Sequence, residues 1–277
     1  MNCLVVGSSG FIGTHLCGAL AIAGHKVFGV DTRKGRWTSK HIDIINGPFA
    51  GYFLDDAIDW VFHLAAMSRT PPTIERPLDC FEVNVLGSVN VLETARKLKV
   101  KRVILASSNV VLAANTPYKA SKLAMEHAAA AYRDCYGLST LCLRLSNTTG
   151  PGLPKGDLAC IAQLRDSLAE NGYVTLTGDG EQSRDFSHVF DVCRAFILAA
   201  ESHDTGDPLD ICTGTMTTMQ RVVNYMEDAL GRTIERYHVP DRKGDWKHII
   251  QDPWPAKCRI NYCVIKTSEE AISDAVR

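Results

Sequence analysis

Short apolar segments alternate with longer amphipathic ones along the first half of the chain. The apolar, β-rich segments lie at 2–6, 26–30, 60–63, 102–106 and 139–144, and the helical ones at 11–23, 80–98 and 118–136. Strands separated by helices predict crossover units in a parallel sheet that is covered on both faces. The run Val103-Ile104-Leu105 is continuously apolar, as in a central buried strand. The fold class predicted here is α/β, with a doubly wound parallel sheet.

The pattern changes after about residue 147. Residues 147–154 are dense in turn formers. They are followed by a helix at 157–170, a strand at 173–177, a helix at 189–201, a strand at 208–212 and a helix at 217–230. The tail, with Pro240, Pro253 and Pro255, predicts loop with short elements. Because the helix at 189–201 looks able to return to the first unit, we expect two interleaved domains. The larger comprises 1–147 plus 184–205, and a small α/β domain comprises 148–183 plus 206–277.

The amino-acid composition excludes several classes of function but does not identify one. The 277 residues are 45% hydrophobic and 22% charged, as in a globular protein with a core. The formal net charge of −1, with both signs interspersed, argues against nucleic-acid or membrane-surface binding. The apolar runs are too short to cross a bilayer, and the amino terminus does not resemble a signal peptide. The ten cysteines form no CxxC pair or zinc spacing, so we expect no metal and a reducing, cytoplasmic location.

A glycine-rich turn follows the first predicted strand. Gly7 permits a tight turn, Gly10 lets the backbone approach a pyrophosphate, and Gly13 lets helix and strand pack closely. The free N–H groups and the dipole at the start of the next helix favour an anion there. Such a pattern is weak by itself, but the strand, the helix and a second strand at 26–30 are all in the required places. The sequence therefore predicts a Rossmann-type dinucleotide site.

The second strand ends at Asp31. A carboxylate there can accept hydrogen bonds from the adenosine ribose and repels a 2′-phosphate, which favours NAD over NADP. The alternative is that Asp31 only caps a turn, and Arg33 and Lys34 leave some room for NADP.

Tyr118 and Lys122 are four residues apart at the start of a predicted helix, and thus share one helical face. A phenol, with an ordinary pKa of about 10, becomes a useful base only when a neighbouring positive charge favours the phenolate. A Tyr-x-x-x-Lys pair alone is usually a solvated surface pair. Here it follows a buried strand that carries Ser107 and Ser108 to the edge where ligands bind in parallel sheets. We therefore predict a catalytic set of Ser108, Tyr118 and Lys122.

With these motifs, the chain resembles the extended short-chain dehydrogenase/reductase family, in its nucleotide-sugar epimerase and dehydratase branch. The motifs that carry the resemblance are GSSGFIG at 7–13, HLAA at 63–66, NVLGS at 84–88, RLSN at 144–147, GPG at 150–152, GDG at 178–180, RDF at 184–186 and RKGD at 242–245. They occur in the family's order over nearly the whole chain. The resemblance implies an NAD-dependent enzyme that acts on a nucleotide-linked sugar.

The resemblance also implies the residues of both binding sites. The cofactor site would comprise Gly7, Ser9, Gly10, Phe11, Ile12, Gly13, Asp31, Thr32, Arg33, Asp43, Ile44, Leu64, Ala65, Ala66, Ser68, Asn84, Ala106, Ser107, Tyr118 and Lys122. The substrate site would comprise Ser68, Ser108, Asn147, Leu158, Thr175, Thr177, Arg184, Arg242 and Asp245. Arg184 and Arg242 are expected to hold the diphosphate, because the guanidinium group suits that task.

The residues after Ser108 separate the possible reactions. Related dehydratases usually carry an Asp-Glu pair there and decarboxylases a Glu, whereas Asn109 and Val110 cannot act as acid or base. We therefore expect 4-epimerisation of a UDP-hexose or UDP-N-acetylhexosamine. A nucleotide-sugar dehydratase or reductase is the main alternative. A non-catalytic NAD-binding module is a weaker one, since the Ser-Tyr-Lys set is intact and no basic patch is present.

Two departures and one further expectation complete the prediction. Only nine residues separate Ser108 from Tyr118, so a loop near the site is shorter than usual. The tail is also shorter than usual, which would leave the sugar pocket open. We align Ile249 with the family position that limits an N-acetyl pocket, and an open pocket would admit UDP-N-acetylglucosamine. The helices at 80–98 and 118–136 carry apolar residues beyond those needed to cover one sheet face, and these predict a homodimer unless they only pack on the sheet. Examples are Val89, Ala95, Leu123, Ala130 and Ala131.

Overall fold

The computed structural model describes residues 1–113, 115–240 and 248–277. In chain order, the strands β1 to β13 are Asn2–Val6, Lys26–Asp31, Thr38–His41, Trp60–His63, Arg102–Ser108, Thr140–Leu145, Asn147–Thr149, Tyr173–Thr177, Ser183–Arg184, Phe186–His188, Leu209–Ile211, Thr217–Thr218 and Glu235–Val239. The helices α1 to α10 are Phe11–Ile22, Thr70–Glu75, Pro77–Phe81, Gly87–Lys97, Pro117–Tyr136, Cys160–Asn171, Val189–Glu201, Met219–Leu230, Trp254–Ile260 and Ser268–Val276.

Seven strands form the central sheet, in the order β11-β6-β5-β4-β1-β2-β3. All six pairings in this sheet are parallel. The strand order reverses between β1 and β4, and the carboxyl ends of strands flanking such a reversal open a crevice for ligands. The predicted α/β class with a Rossmann-type sheet is confirmed, and every strand predicted in the first half is present within two residues of its predicted ends.

The two faces of the sheet bury separate sets of side chains, because successive residues of a strand point to opposite faces. On β1, Cys3 and Val5 pack toward α1 and α7, whereas Leu4 and Val6 pack toward α4 and α5. These residues have no exposed surface. The continuous apolar runs of the central strands follow from this burial on both sides.

A third, smaller core lies beyond the end of the sheet. It gathers apolar residues of α6, β8, α8 and α10, among them Ile161, Val174, Val222 and Ile272. Strands β8 and β13 pair in parallel beside it. This layer supplies the second wall of the cleft described below.

The chain passes between the layers more often than the sequence predicts. Residues 206–277 were expected to lie in the small domain, but β11 pairs with β6 in the central sheet. Ala256, Ile260 and Tyr262, in and just after α9, pack into the core beneath that sheet. Without β11, the outer edge of β6 would have unpaired main-chain N–H and C=O groups. A strand from late in the chain therefore joins the central sheet and satisfies them.

The helix predicted at 80–98 extends from Pro77 to Lys97, with a π-helical turn at Glu82–Leu86 between α3 and α4. Of the residues that suggested a partner surface, Val89, Leu123, Ala130 and Ala131 keep some exposure. Ala95 does not, because it lies wholly within the core between α4 and the sheet. The homodimer stays a prediction.

Within residues 1–113, 115–240 and 248–277, no helix combines the length and apolar character needed to span a membrane. The same residues hold no cluster of three or more His, Cys, Asp or Glu side chains arranged to bind a metal ion.

Candidate functional site

A cleft of about 1200 Å³ opens where the carboxyl ends of β1, β4, β5 and β6 face the smaller layer. The predicted site residues that line it are Gly7, Ser9, Gly10, Phe11, Ile12, Gly13, Asp31, Thr32, Arg33, Asp43, Ile44, Leu64, Ala65, Ala66, Ser68, Ala106, Ser107, Ser108, Tyr118, Lys122, Asn147, Leu158, Thr175, Thr177 and Arg184. Asn84 does not line it, and Arg242 and Asp245 lie outside the described residues. The fold thus brings nearly all of the predicted set to one cavity.

The glycine-rich turn between β1 and α1 admits no larger side chain at two positions. Gly7 has a φ of +94°, and a Cβ atom there would lie 2.6 Å from the Ala65 nitrogen. A Cβ atom on Gly13 would lie 2.0 Å from the Gly7 carbonyl oxygen. The turn is therefore packed backbone against backbone, which leaves the start of α1 open to a phosphate.

Asp31 is held at the end of β2 by two main-chain amides. The Ser9 nitrogen donates to Oδ2 and the Arg33 nitrogen to Oδ1, each at 2.9 Å. The residue is only 8% exposed, yet it lines the cleft. Its carboxylate is thus fixed where it can accept further hydrogen bonds, as a ribose diol requires.

The far end of this half of the cleft is closed by Asp43 and Ile44. The Asp43 side chain accepts a hydrogen bond from the Ile45 nitrogen at 3.2 Å and so begins a short 3₁₀ turn. Asn90 donates to the Ile44 carbonyl at 2.8 Å, which anchors the turn to α4. Ile44 then presents a buried apolar surface, suited to a flat aromatic base.

Helix α5 brings Tyr118 and Lys122 against the end of β5. Thr116 accepts a hydrogen bond from the Lys119 nitrogen at 3.1 Å and Pro117 occupies the first helical position, so α5 starts at a defined residue. Lys122 Nζ donates to the Ala106 carbonyl at 2.8 Å and lies 5.9 Å from the centre of the Tyr118 ring. Burial lowers the pKa of Lys122 to about 8.

The Tyr118 phenol behaves differently from the sequence prediction. A lowered pKa was expected, but burial raises the pKa of this phenol above its ordinary value. Two neighbours oppose that effect: a hydrogen bond with the Ser108 side chain and the positive charge of Arg69. Desolvation is the larger effect because the phenol is almost fully enclosed.

A largely buried ion pair next to the residues predicted to be catalytic was not itself predicted. Arg144 donates from Nε and Nη2 to the two carboxylate oxygens of Glu126, at 2.9 and 2.8 Å. The Ser107 hydroxyl donates to the same carboxylate at 2.5 Å. Glu126 lies one helical turn after Lys122, so this network ties α5 to both β5 and β6. In the sequence, the four-residue spacing between Lys122 and Glu126 indicates that both side chains lie on the same face of α5.

Asn84 contacts other protein groups instead of the cleft. Its amide accepts from the Met67 nitrogen at 2.8 Å and donates to the Met67 carbonyl at 3.1 Å. It also donates to the Ser121 hydroxyl at 2.9 Å. The residue sits in the π-helical turn, which directs its side chain between α5 and the segment after β4. Asn84 thereby positions cleft-lining residues.

The smaller layer forms the opposite wall. Asn147, on β7, donates to the Asp185 carbonyl at 3.3 Å, and the Arg184 guanidinium donates to the Ser183 carbonyl at 2.8 Å. Thr177, on β8, accepts a hydrogen bond from Gln182 at 2.9 Å. Leu158, in the loop before α6, is 45% exposed. Polar groups and one guanidinium thus face the sheet across the cleft.

Two further residues differ from the sequence prediction. Ile249, which was expected to limit an N-acetyl pocket, is 5% exposed and is not among the cleft-lining residues, because it packs inside the fold. Arg69, which no motif indicated, lines the cleft and forms an ion pair with Asp157 from the opposite wall.

Comparison with known proteins agrees with this architecture. A sequence model of the NAD dependent epimerase/dehydratase family matches residues 3–212. A putative UDP-glucose 4-epimerase of Methanocaldococcus jannaschii is 28% identical over 273 residues, which cover 90% of this chain and 89% of the relative. A UDP-N-acetyl-alpha-D-glucosaminuronate decarboxylase of Bacillus cytotoxicus is 29% identical over 273 residues, covering 87% and 84%. The structure of UDP-glucose 4-epimerase with UDP-glucose from Thermotoga maritima superposes with a TM-score of 0.92 at 27% identity, covering 100% of this chain and 97% of that chain.

Proposed function

The chain belongs to the NAD-dependent epimerase/dehydratase family, and from this we propose that it inverts C4 of a UDP-linked sugar through a transient 4-keto intermediate. The observation that carries the proposal is the arrangement at the end of β5. Ser108 lies close enough to Tyr118 to lower the pKa of the phenol, Lys122 is buried beside the same ring, and the next residues, Asn109 and Val110, hold no acid or base. The UDP-glucose 4-epimerases among the relatives and solved structures support the same assignment.

The family's cofactor is NAD, and the residues of the cleft fit it. The backbone-to-backbone packing of Gly7 and Gly13 leaves room for a pyrophosphate at the start of α1. Asp31 would hold the adenosine ribose, and Asp43 and Ile44 would flank the adenine. Lys122 would hold the ribose of the nicotinamide. When bound, NAD supplies the reversible acceptance of a hydride.

Tyr118 would accept the proton from the sugar 4-hydroxyl and return it after the ring has turned over. Ser108 would orient that hydroxyl, since its side chain lines the cleft beside Tyr118 and lowers the pKa of the phenol. Lys122, which is buried close to the ring, would favour the phenolate once the site is occupied. The proton leaves and re-enters at the same oxygen, so the chain's own residues end each cycle unchanged.

The alternative within the family is elimination or decarboxylation, and the Bacillus cytotoxicus relative is a decarboxylase. A dehydratase needs a carboxyl acid and a base beside the reacting carbon. The carboxylates among the described lining residues are Asp31, Asp43 and Asp157. Asp31 and Asp43 lie at the cofactor end, and Asp157 is paired with Arg69. This distribution favours epimerisation.

The test is product analysis after incubation of the purified protein with UDP-glucose or UDP-N-acetylglucosamine and no added cofactor. We expect an isomer of unchanged mass, and we expect Tyr118→Phe to lower kcat by about 100- to 10,000-fold. Tyr136→Phe is the matched control, because Tyr136 lies at the exposed end of the same helix. Loss of water or of carbon dioxide from the substrate would overturn the proposal.

A further inference from the structure

Arg69 projects from a segment that is fixed on both sides. Before it, both main-chain polar groups of Met67 are bonded to the Asn84 side chain, at 2.8 and 3.1 Å. After it, α2 begins at Thr70 and continues with Pro71 and Pro72, whose rings restrict the backbone. The start of the Arg69 side chain is therefore held in place before any ligand enters the cleft.

The Arg69 guanidinium is oriented by one carboxylate oxygen. Its Nε and Nη2 atoms lie 2.8 and 2.7 Å from Asp157 Oδ1. The same oxygen accepts a hydrogen bond from the Ala159 nitrogen at 2.7 Å, which anchors Asp157 at the start of α6. Asp157 thus uses the side edge of the guanidinium. The end edge, formed by Nη1 and Nη2, makes no other hydrogen bond or ion pair with the described residues and suits a planar, two-oxygen anion.

The charge of Arg69 acts on the reacting part of the cleft. It favours the ionised form of the Tyr118 phenol, and it acts on Cys160 at the start of α6. Arg184 also acts on Cys160 and is the guanidinium expected at the diphosphate. The hydroxyl groups of a neutral hexose do not need a second guanidinium close to the transferred proton. A sugar that carries a carboxylate needs such a guanidinium, because its negative charge must be paired when it enters the cleft.

We propose that Arg69 is a specificity residue that binds a carboxylate on the sugar ring, which makes a UDP-hexuronic acid the preferred substrate class. The inference rests on the proposed function and adds the chemical class of its sugar. The end edge of the guanidinium forms two parallel hydrogen bonds with the carboxylate, and Asp157 is the positioning residue that keeps this edge turned toward the cleft.

The experiment compares kcat/KM for UDP-glucuronic acid and UDP-glucose in the full-length protein and its variants. We expect the native protein to prefer the uronic acid. We expect Arg69→Gln to lower kcat/KM for the uronic acid by about 10- to 100-fold and to change that for UDP-glucose by less than about threefold. Arg69→Lys keeps the positive charge but lacks the two parallel N–H donors of the guanidinium, and it should give an intermediate loss of kcat/KM for the uronic acid. Arg76→Gln is the matched control, because the Arg76 side chain is 63% exposed and forms a surface ion pair with Asp79.

The outcomes separate this inference from the proposed function. An equal loss for both sugars in Arg69→Gln would overturn the inference, since Arg69 would then serve the diphosphate or the shape of the cleft. A native protein that isomerises UDP-glucose and not the uronic acid would also overturn it, while leaving the proposed function intact. Loss of carbon dioxide from UDP-glucuronic acid in the native protein, and not in Arg69→Gln, would support the carboxylate site and overturn C4 epimerisation.

Discussion

Lys122 Nζ lies 2.8 Å from the carbonyl oxygen of Ala106, two residues before Ser108 on β5. This hydrogen bond joins the helix that carries the tyrosine to the strand that carries the serine. Lys122 is 4% exposed, and burial lowers its pKa from 10.5 to about 8. The spacing between Ser108 and Tyr118 therefore depends on a buried ammonium whose charge is costly to keep.

That lowered pKa predicts how stability changes with pH. Between about pH 8 and pH 10.5 the unfolded chain binds the Lys122 proton while the folded chain has lost it, so raising the pH stabilises the folded state. We expect the free energy of unfolding of the native protein, relative to Lys122→Met, to rise by about 3 kcal/mol over this interval. Urea unfolding of both proteins at several pH values measures the difference. A difference that stays constant with pH would contradict the prediction.

The two glycines of α1 provide a matched pair of substitutions. Gly13→Ala places a Cβ atom 2.0 Å from the Gly7 carbonyl oxygen, and neither backbone segment can move freely. We expect it to weaken NAD binding by at least about tenfold and to destabilise the fold by about 1–3 kcal/mol. Gly18→Ala meets no atom within 4 Å and should stabilise the helix by about 0.5–1 kcal/mol.

Calorimetric NAD titration and thermal unfolding of the two variants give both quantities. Unimpaired NAD binding in Gly13→Ala would show that the turn relaxes, and that the glycine is not required for the cofactor.

The Glu126–Arg144 pair predicts a strong energetic coupling. Removing one partner leaves a largely buried charge without its counter-charge, and we expect Glu126→Leu to lower the free energy of unfolding by about 3 kcal/mol. The double variant Glu126→Leu/Arg144→Met should lose less than the sum of the single variants, by about 1–3 kcal/mol. A double-mutant cycle in urea measures this coupling, and additive effects would refute it.

The same pair should affect the proposed reaction through Ser107, which donates to Glu126 and directly precedes Ser108. We expect Glu126→Gln to lower kcat more than it raises KM, because the end of β5 loses a fixed contact next to Ser108. Equal changes in both constants would assign Glu126 to stability alone.

The central sheet and most of the cleft follow from short-range patterns. The strand before Gly7, the glycine turn and Asp31 lie within one crossover unit, so their spacing along the chain fixes their spacing in the fold. The Tyr118–Lys122 pair shares one helical turn and is equally local. Such features can be predicted because little of their geometry depends on distant residues.

The contacts that were missed join segments that are distant along the chain. Arg69 meets Asp157, and Ser107 and Arg144 meet Glu126, only after the layers have packed. Strands such as β9 and β12 have two residues each and exist through pairing with each other, so no periodicity reveals them. The raised pKa of Tyr118 likewise reflects enclosure by the whole fold.

The late arrival of β11 has a consequence for synthesis on the ribosome. When the nascent chain has emerged as far as β6, one edge of that strand has no neighbour until Leu209–Ile211 follow. The core under the sheet lacks Ala256, Ile260 and Tyr262 for longer still. A nascent chain that stalls near residue 200 therefore displays an open strand edge and an unfinished apolar surface, which are the features that chaperones bind and that drive aggregation. Folding of this protein is completed only when nearly all of it has been translated.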